Sequence, residues 1–135
     1  MLIITREIRD EMISHARQEY PYECCGLLAG KDREDVTEIY KLRNKDRSAV
    51  TYLIEPSDQF RVFKELRQKN INLIAIYHSH THSEAYPSIT DVRLAYHPES
   101  YYIIISLKNI KNPEIRAFLI DEGRITEEDI GIASF

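Results

Sequence analysis

Residues 72–91 constrain the fold of this chain most, because an apolar run there passes without a break into a cluster of histidines. Asn72-Leu73-Ile74-Ala75-Ile76 is short and rich in apolar and β-branched residues, which predicts a buried strand. If that strand continues through Tyr77-His78-Ser79-His80, side chains alternate across it, so His78 and His80 share one face and Ser79 takes the other. Two imidazoles two residues apart can hold a metal ion from one side. A loop then leads to Pro87-Ser88, where a helix is expected to begin, with Asp91 one turn inside it. Two imidazoles and a carboxylate form a three-ligand set that leaves the fourth tetrahedral position of a zinc ion open, the arrangement of catalytic rather than structural sites.

Plainer readings of the same residues exist. A lone His-x-His occurs often on surfaces and in cores. Ser88-x-x-Asp91 is also a helix-capping pattern, with Ser88 at the N-cap and an acid near the positive end of the helix. Capping and metal binding are compatible, since a capped first turn is a stiff place from which Asp91 can project. His78-x-His80-x-His82 offers a rival set of three ligands from one continuous strand.

Taken together, His78-Ser79-His80, seven residues, Ser88, two residues and Asp91 resemble the complete metal motif of the JAMM (MPN-plus) metallopeptidases. The family also places a glutamate at the start of an early strand. The matching position is Glu23, in Pro21-Tyr22-Glu23-Cys24-Cys25-Gly26-Leu27-Leu28-Ala29-Gly30. The resemblance therefore spans nearly the whole chain. It implies the MPN (JAB1/MPN, cytidine-deaminase-like) fold, a mixed β-sheet flanked by helices, with residues 1–135 as a single domain. It implies one Zn2+ per chain held by His78, His80 and Asp91, with Glu23 as general base and acid and Ser88 supporting the oxyanion.

The loop Ser83-Glu84-Ala85-Tyr86-Pro87 is most similar to the small bacterial and archaeal members that process ubiquitin-like sulfur-carrier proteins. The implied partner is a ubiquitin-like protein with a Gly-Gly tail, cut after its second glycine. By family analogy the tail would meet a strand edge near Asn44 to Thr51. Thr81 stands where many deubiquitinating members carry proline, and the chain is short for their long insertions; both departures count against ubiquitin-chain cleavage without deciding it. The competing class is a non-catalytic scaffold of the same fold, against which the intact ligand set argues. A hydrolase releasing a single amino acid from a carrier terminus shades into the first reading. A zinc deaminase is disfavoured, as no His-x-Glu followed by Pro-Cys-x-x-Cys is present.

Composition bounds the rest. A net charge of −4 without a basic patch argues against a nucleic-acid partner. No apolar run approaches the roughly 20 residues that span a bilayer, and Arg6, Glu7, Arg9 and Asp10 follow Met1-Leu2-Ile3-Ile4 too soon for a signal peptide. Adjacent Cys24 and Cys25 should point to opposite faces of a strand as free thiols, which suits a reducing cytoplasm.

Along the chain, Leu2-Ile3-Ile4 reads as a strand, Thr5 as an N-cap, and Ile8, Met12 and Ala16 as the buried stripe of a helix ended by Pro21. Strands are expected over Cys24 to Ala29, Val36 to Leu42, Thr51 to Ile54, Tyr101 to Ser106 and Glu114 to Ile120. A second helix opens at Pro56, with Phe60, Phe63 and Leu66 on one face. Tyr52 and Tyr86 are placed near the cleft, and His15 and His97 on the surface. The whole reads as one α/β unit.

Overall fold

The computed structural model describes residues 1–133. The chain runs β1 (Leu2–Thr5), α1 (Arg6–Glu19), β2 (Cys25–Gly30), β3 (Glu38–Leu42), α2 (Pro56–Lys69), β4 (Asn72–His80), α3 (Ile89–Arg93), β5 (Tyr101–Ser106), β6 (Glu114–Asp121), β7 (Arg124–Glu128) and β8 (Ile130–Ala133). Six strands form one mixed sheet in the order β3-β2-β4-β5-β6-β7, in which only the β4–β5 pair is parallel. β1 and β8 pair in parallel as a separate ribbon. This is the expected mixed sheet flanked by helices.

Each face of the sheet carries its own apolar cluster. On one, α1 lays Ile8, Met12 and Ala16 against Leu28, Ala75, Ile103 and Ile105. On the other, α2 sets Val62 and Leu66 over Leu27, Ile76, Ile104 and Phe118. The period-2 alternation of strands assigns these sides, and it sends Cys24 to the first cluster and Cys25 to the second, as the sequence requires. Helix starts follow local chemistry: the Thr5 hydroxyl accepts from the Ile8 amide at 3.1 Å, and Pro56 opens α2 at a position whose N–H has no helical partner.

Three expectations fail, and two strands were not foreseen. No named strand covers Thr51 to Ile54; residues 44–54 form a loop closed by a single bridge between Asn44 and Ile54. That segment is therefore not a regular strand edge. Phe60 is 69% exposed, and the buried stripe of α2 is Val62 and Leu66 with Phe63 beside them. Two C-terminal strands, β7 and β8, have sequences too polar or too short for an alternating pattern to reveal. His15 is not on the surface: it is 6% exposed, with Nδ1 2.8 Å from the Tyr77 hydroxyl.

The His15 site is built by Gly26, which faces Tyr77 across β2 and β4. Any side chain at Gly26 would occupy the place of the Tyr77 ring, so glycine is what lets the phenol reach α1. Burial, aided by Lys41, pushes the His15 pKa from 6.5 down to about 4, so near neutral pH the ring is neutral and shares a hydrogen bond with Tyr77. The unfolded chain therefore takes up the proton first. Stability supplied by His15 is complete above pH 6.5 and is lost as pH falls toward 4, by roughly 3 kcal/mol at most. We expect urea unfolding of His15→Gln, which keeps an acceptor but cannot titrate, to lack this acid-dependent loss. An unchanged pH slope in that variant would place the loss elsewhere.

Candidate metal centre

β4 carries two histidines to the edge of the α2 side of the sheet and stops. His78 follows Ile76 by two residues and His80 follows by four, so both share the face of the second apolar cluster. β2 and β5 flank this end, pairing His78 with Cys25 on one side and Ile104 on the other, which fixes its register. His78 and His80 are 1% and 4% exposed. The Tyr52 ring, from the 44–54 loop, stacks on His78 with centroids 4.4 Å apart and planes 20° from parallel.

Three donor atoms converge here. His78 Nε2 and His80 Nε2 are 3.2 Å apart, and Asp91 Oδ2 lies 3.2 Å from the first and 3.0 Å from the second. Among the described residues, these three form the group of His, Cys, Asp and Glu able to surround one ion. The hydrogen bonds around them test whether a cation fits. His80 Nδ1 is 2.7 Å from the Glu84 carbonyl oxygen, which can only accept, so Nδ1 carries the proton. In a neutral ring Nε2 is then a lone pair aimed at a carboxylate and at a second imidazole nitrogen. A positive charge at the centre, either a second proton on His80 or a metal ion, satisfies these lone pairs together. Two imidazole nitrogens and a carboxylate oxygen suit a divalent transition metal such as zinc.

The charges agree with this reading. Burial opposes ionisation of Asp91, but its contacts with His78 and His80 outweigh that and hold its carboxyl well below the usual range. Burial also opposes charge on His80, yet Asp91 and the Glu84 carbonyl together raise its pKa. His78 is pushed down by burial, and its Nδ1 is buried without a hydrogen-bond partner. The site is an anion facing two imidazoles, only one of which favours protonation.

Asp91 is placed by the capping box the sequence announced. The Ser88 hydroxyl accepts from the Asp91 amide at 3.0 Å, and Asp91 Oδ2 accepts from the Ser88 amide at 2.9 Å. The same oxygen that caps the helix thus faces the histidines. Ser88 accepts through its oxygen and keeps its hydroxyl proton for another partner.

Glu23 stands just before β2. The antiparallel pairing sets Cys25 opposite His78, and two further bonds extend it: the Ser79 amide donates to the Cys24 carbonyl at 3.1 Å, and the Cys24 amide to Ser79 Oγ at 2.8 Å. Glu23 itself leaves the ladder, with its amide on the Ser48 carbonyl and its carbonyl on Asn44 Nδ2, and its carboxyl comes near enough to His80 and Asp91 for both to act on it. Glu23 is 4% exposed, and burial pushes its pKa up from 4.5 to about 8, against the pull of His80. A carboxyl group that exchanges its proton near neutral pH is suited to general acid–base work.

His82 stands outside the cluster. It is exposed, past the end of β4, with Nε2 3.3 Å from the Tyr20 hydroxyl and Nδ1 3.0 Å from Thr81 Oγ1. Cys24 and Cys25 are buried thiols whose pKa values burial raises, Cys24 to about 12, so neither is a ready nucleophile. Tyr86 packs edge-on against Phe118, and Tyr52 contributes to the site directly. Sequence reading missed Asn44. It lies in a polar stretch that signals only a loop, yet its side chain is buried against the Glu23 backbone.

Comparison with known proteins places this geometry. Residues 5–121 match the model of the prokaryotic homologues of the JAB domain. The chain is 35% identical over 133 residues to the CysO-cysteine peptidase of Mycobacterium tuberculosis, covering 98% of this chain and 91% of that protein. It is 34% identical over 125 residues to a probable TtuB-protein conjugate cleaving protease of Thermus thermophilus, covering 92% and 79%. The solution structure of a Desulfitobacterium hafniense protein superposes with a TM-score of 0.90 at 36% identity, covering all of this chain and 94% of the other.

Proposed function

The chain belongs to the prokaryotic JAB-domain family, and on that premise we propose that it is a zinc-dependent peptidase or isopeptidase acting after the C-terminal Gly-Gly of a small ubiquitin-like sulfur-carrier protein. The observation that carries this reading is the convergence of His78 Nε2, His80 Nε2 and Asp91 Oδ2 within 3.2 Å of one another. His78, His80 and Asp91 would hold the zinc ion, one per chain. Bound there, zinc supplies Lewis acidity toward a carbonyl and makes water a stronger acid near neutral pH.

The protein's own groups do the rest. Glu23 takes a proton from the attacking water and delivers it to the leaving amine as the C–N bond breaks, so the products are a glycine carboxylate and a free amine. The Ser88 hydroxyl donates to the carbonyl oxygen as negative charge grows on it, a contribution of about 3 kcal/mol by analogy with other oxyanion donors. The extended tail lies along the 44–54 loop, where glycines allow its backbone to approach Ser88. The likeness to the CysO-cysteine peptidase and to the TtuB-protein conjugate cleaving protease supports a single amino acid or a conjugated protein as the released group. Residues 1–135 act as one domain. No helix among the described residues is long and apolar enough to cross a membrane, and two free buried thiols suit a reducing cytoplasmic setting.

Zinc-loaded protein incubated with a carrier fusion ending in Gly-Gly plus one or more residues should release the group after the second glycine, as read by product mass. A chelator should stop release and added zinc restore it. Exchanging the second glycine for a bulky residue should slow cutting sharply. Carriers that bind but are never cut, across neutral pH and several leaving groups, would instead identify a non-catalytic scaffold of this fold.

A further inference from the structure

The loop between β3 and α2 touches the site at several points, and one side chain organises it. Asn44 is 9% exposed and uses all four of its hydrogen-bonding positions. Nδ2 donates to the Glu23 carbonyl at 3.0 Å and to the Thr51 carbonyl at 3.1 Å, while Oδ1 accepts from the Asp46 and Leu53 amides, each at 3.0 Å. Two carbonyls on one side and two amides on the other fix which end is nitrogen. The loop answers through its backbone, since the Glu23 amide donates to the Ser48 carbonyl at 2.8 Å. Ser48 Oγ accepts from the Val50 and Thr51 amides, and the Ala49 carbonyl accepts from Thr81 Oγ1 at 2.9 Å. Tyr52, on the same loop, stacks on His78. At its base, Arg43 binds Asp58 of α2 through two nitrogens at 3.0 and 2.9 Å.

Glu23 precedes β2, where the ladder that would otherwise hold its backbone has not begun. Its amide and carbonyl are held instead by Ser48 and Asn44. We propose that Asn44 is a positioning residue of the peptidase: its carboxamide locks the 44–54 loop onto the backbone of Glu23, and so sets the aim of the Glu23 carboxyl. The inference rests on the reading of Glu23 as proton carrier. It also makes the loop along which the substrate tail lies continuous with the residue that moves the proton.

Asn44→Asp tests this closely. The aspartate keeps both acceptor bonds to Asp46 and Leu53, so the turn survives, but it sets a carboxylate oxygen against the Glu23 and Thr51 carbonyls. Turnover per folded, metal-loaded molecule should fall roughly 10- to 100-fold, the scale of removing a supporting partner, with metal content close to wild type, while the buried carboxylate lowers the unfolding midpoint. Amide exchange should quicken at Glu23 while the β5 amides stay protected. In a Glu23→Gln background the same substitution should cost no more than about twofold, because the group it positions is already gone. Should aspartate not be tolerated, Asn44→Ser removes the carboxamide without adding charge and carries the same comparison. Wild-type turnover in the variant, unaltered exchange at Glu23, or an equal loss in both backgrounds would overturn the proposal. If wild-type protein releases nothing, the peptidase reading fails, and the exchange comparison still decides whether Asn44 holds Glu23.

Discussion

Glu23→Gln should lower turnover by at least roughly 10²-fold while metal content stays near that of wild type. The side chain is buried, and burial raises its pKa to about 8, so it can pass between carboxylic acid and carboxylate near neutral pH. Glutamine keeps the volume and part of the hydrogen bonding but has no proton to give or take. The bonds from Asn44 and to Ser48 use the Glu23 backbone and survive the exchange. Glu23 is not one of the three converging donors, so the metal should not notice. Stability offers an independent check on metal-free protein. With a folded pKa of about 8 against 4.5 unfolded, wild type should lose stability as pH rises through that window, because the folded state resists ionisation there. Glu23→Gln should not. Near-normal hydrolysis by the variant would move the proton-carrying role to Glu55, at the N-cap of α2, or to the exposed Glu84.

Asp91→Ala should remove both the metal and the activity, whereas His82→Ala should keep the metal. Asp91 supplies the negative charge among the three donors, and its Oδ2 faces both histidines. Without it, two buried imidazoles remain, one already disfavoured by burial from carrying charge. Half of the Ser88 capping box is lost as well, but the Asp91 amide still donates to Ser88 Oγ, so α3 should persist in the variant. Asp91→Asn separates the two effects, since it retains a capping oxygen and loses the charge. His82 reaches Tyr20 and Thr81 instead of the cluster, so its removal should leave elemental analysis unchanged. The reverse pair of results would make His78, His80 and His82 the ligand set.

What the sequence by itself determined is local and periodic. Alternation along β4 put His78 and His80 on one side, and alternation along β2 parted Cys24 from Cys25. Hydroxyl and carboxylate at fixed spacing capped the helix that presents Asp91, and Thr5 capped the one before β2. These features need only a few neighbouring residues, and their energies are settled within one turn or one pleat. The tertiary structure decided everything that depends on which distant segment lies alongside. Pairing of β2 with β4, and the 44–54 loop beyond it, brought Glu23, fifty-odd residues upstream, within electrostatic reach of His80. Gly26 let Tyr77 reach through to a helix and buried His15, which periodicity alone had left outside. Phe60 points to solvent because α2 rests on Val62 and Leu66. Residues 51–54, apolar enough for a strand, have one bridge to Asn44 and otherwise close a loop. The same polar Asn44 that reads as solvent-facing became the buried fastening of that loop, because only the folded chain brings the Glu23 and Thr51 carbonyls to its amide. Burial and pairing are properties of contacts far apart in the chain, and no short window of sequence contains them.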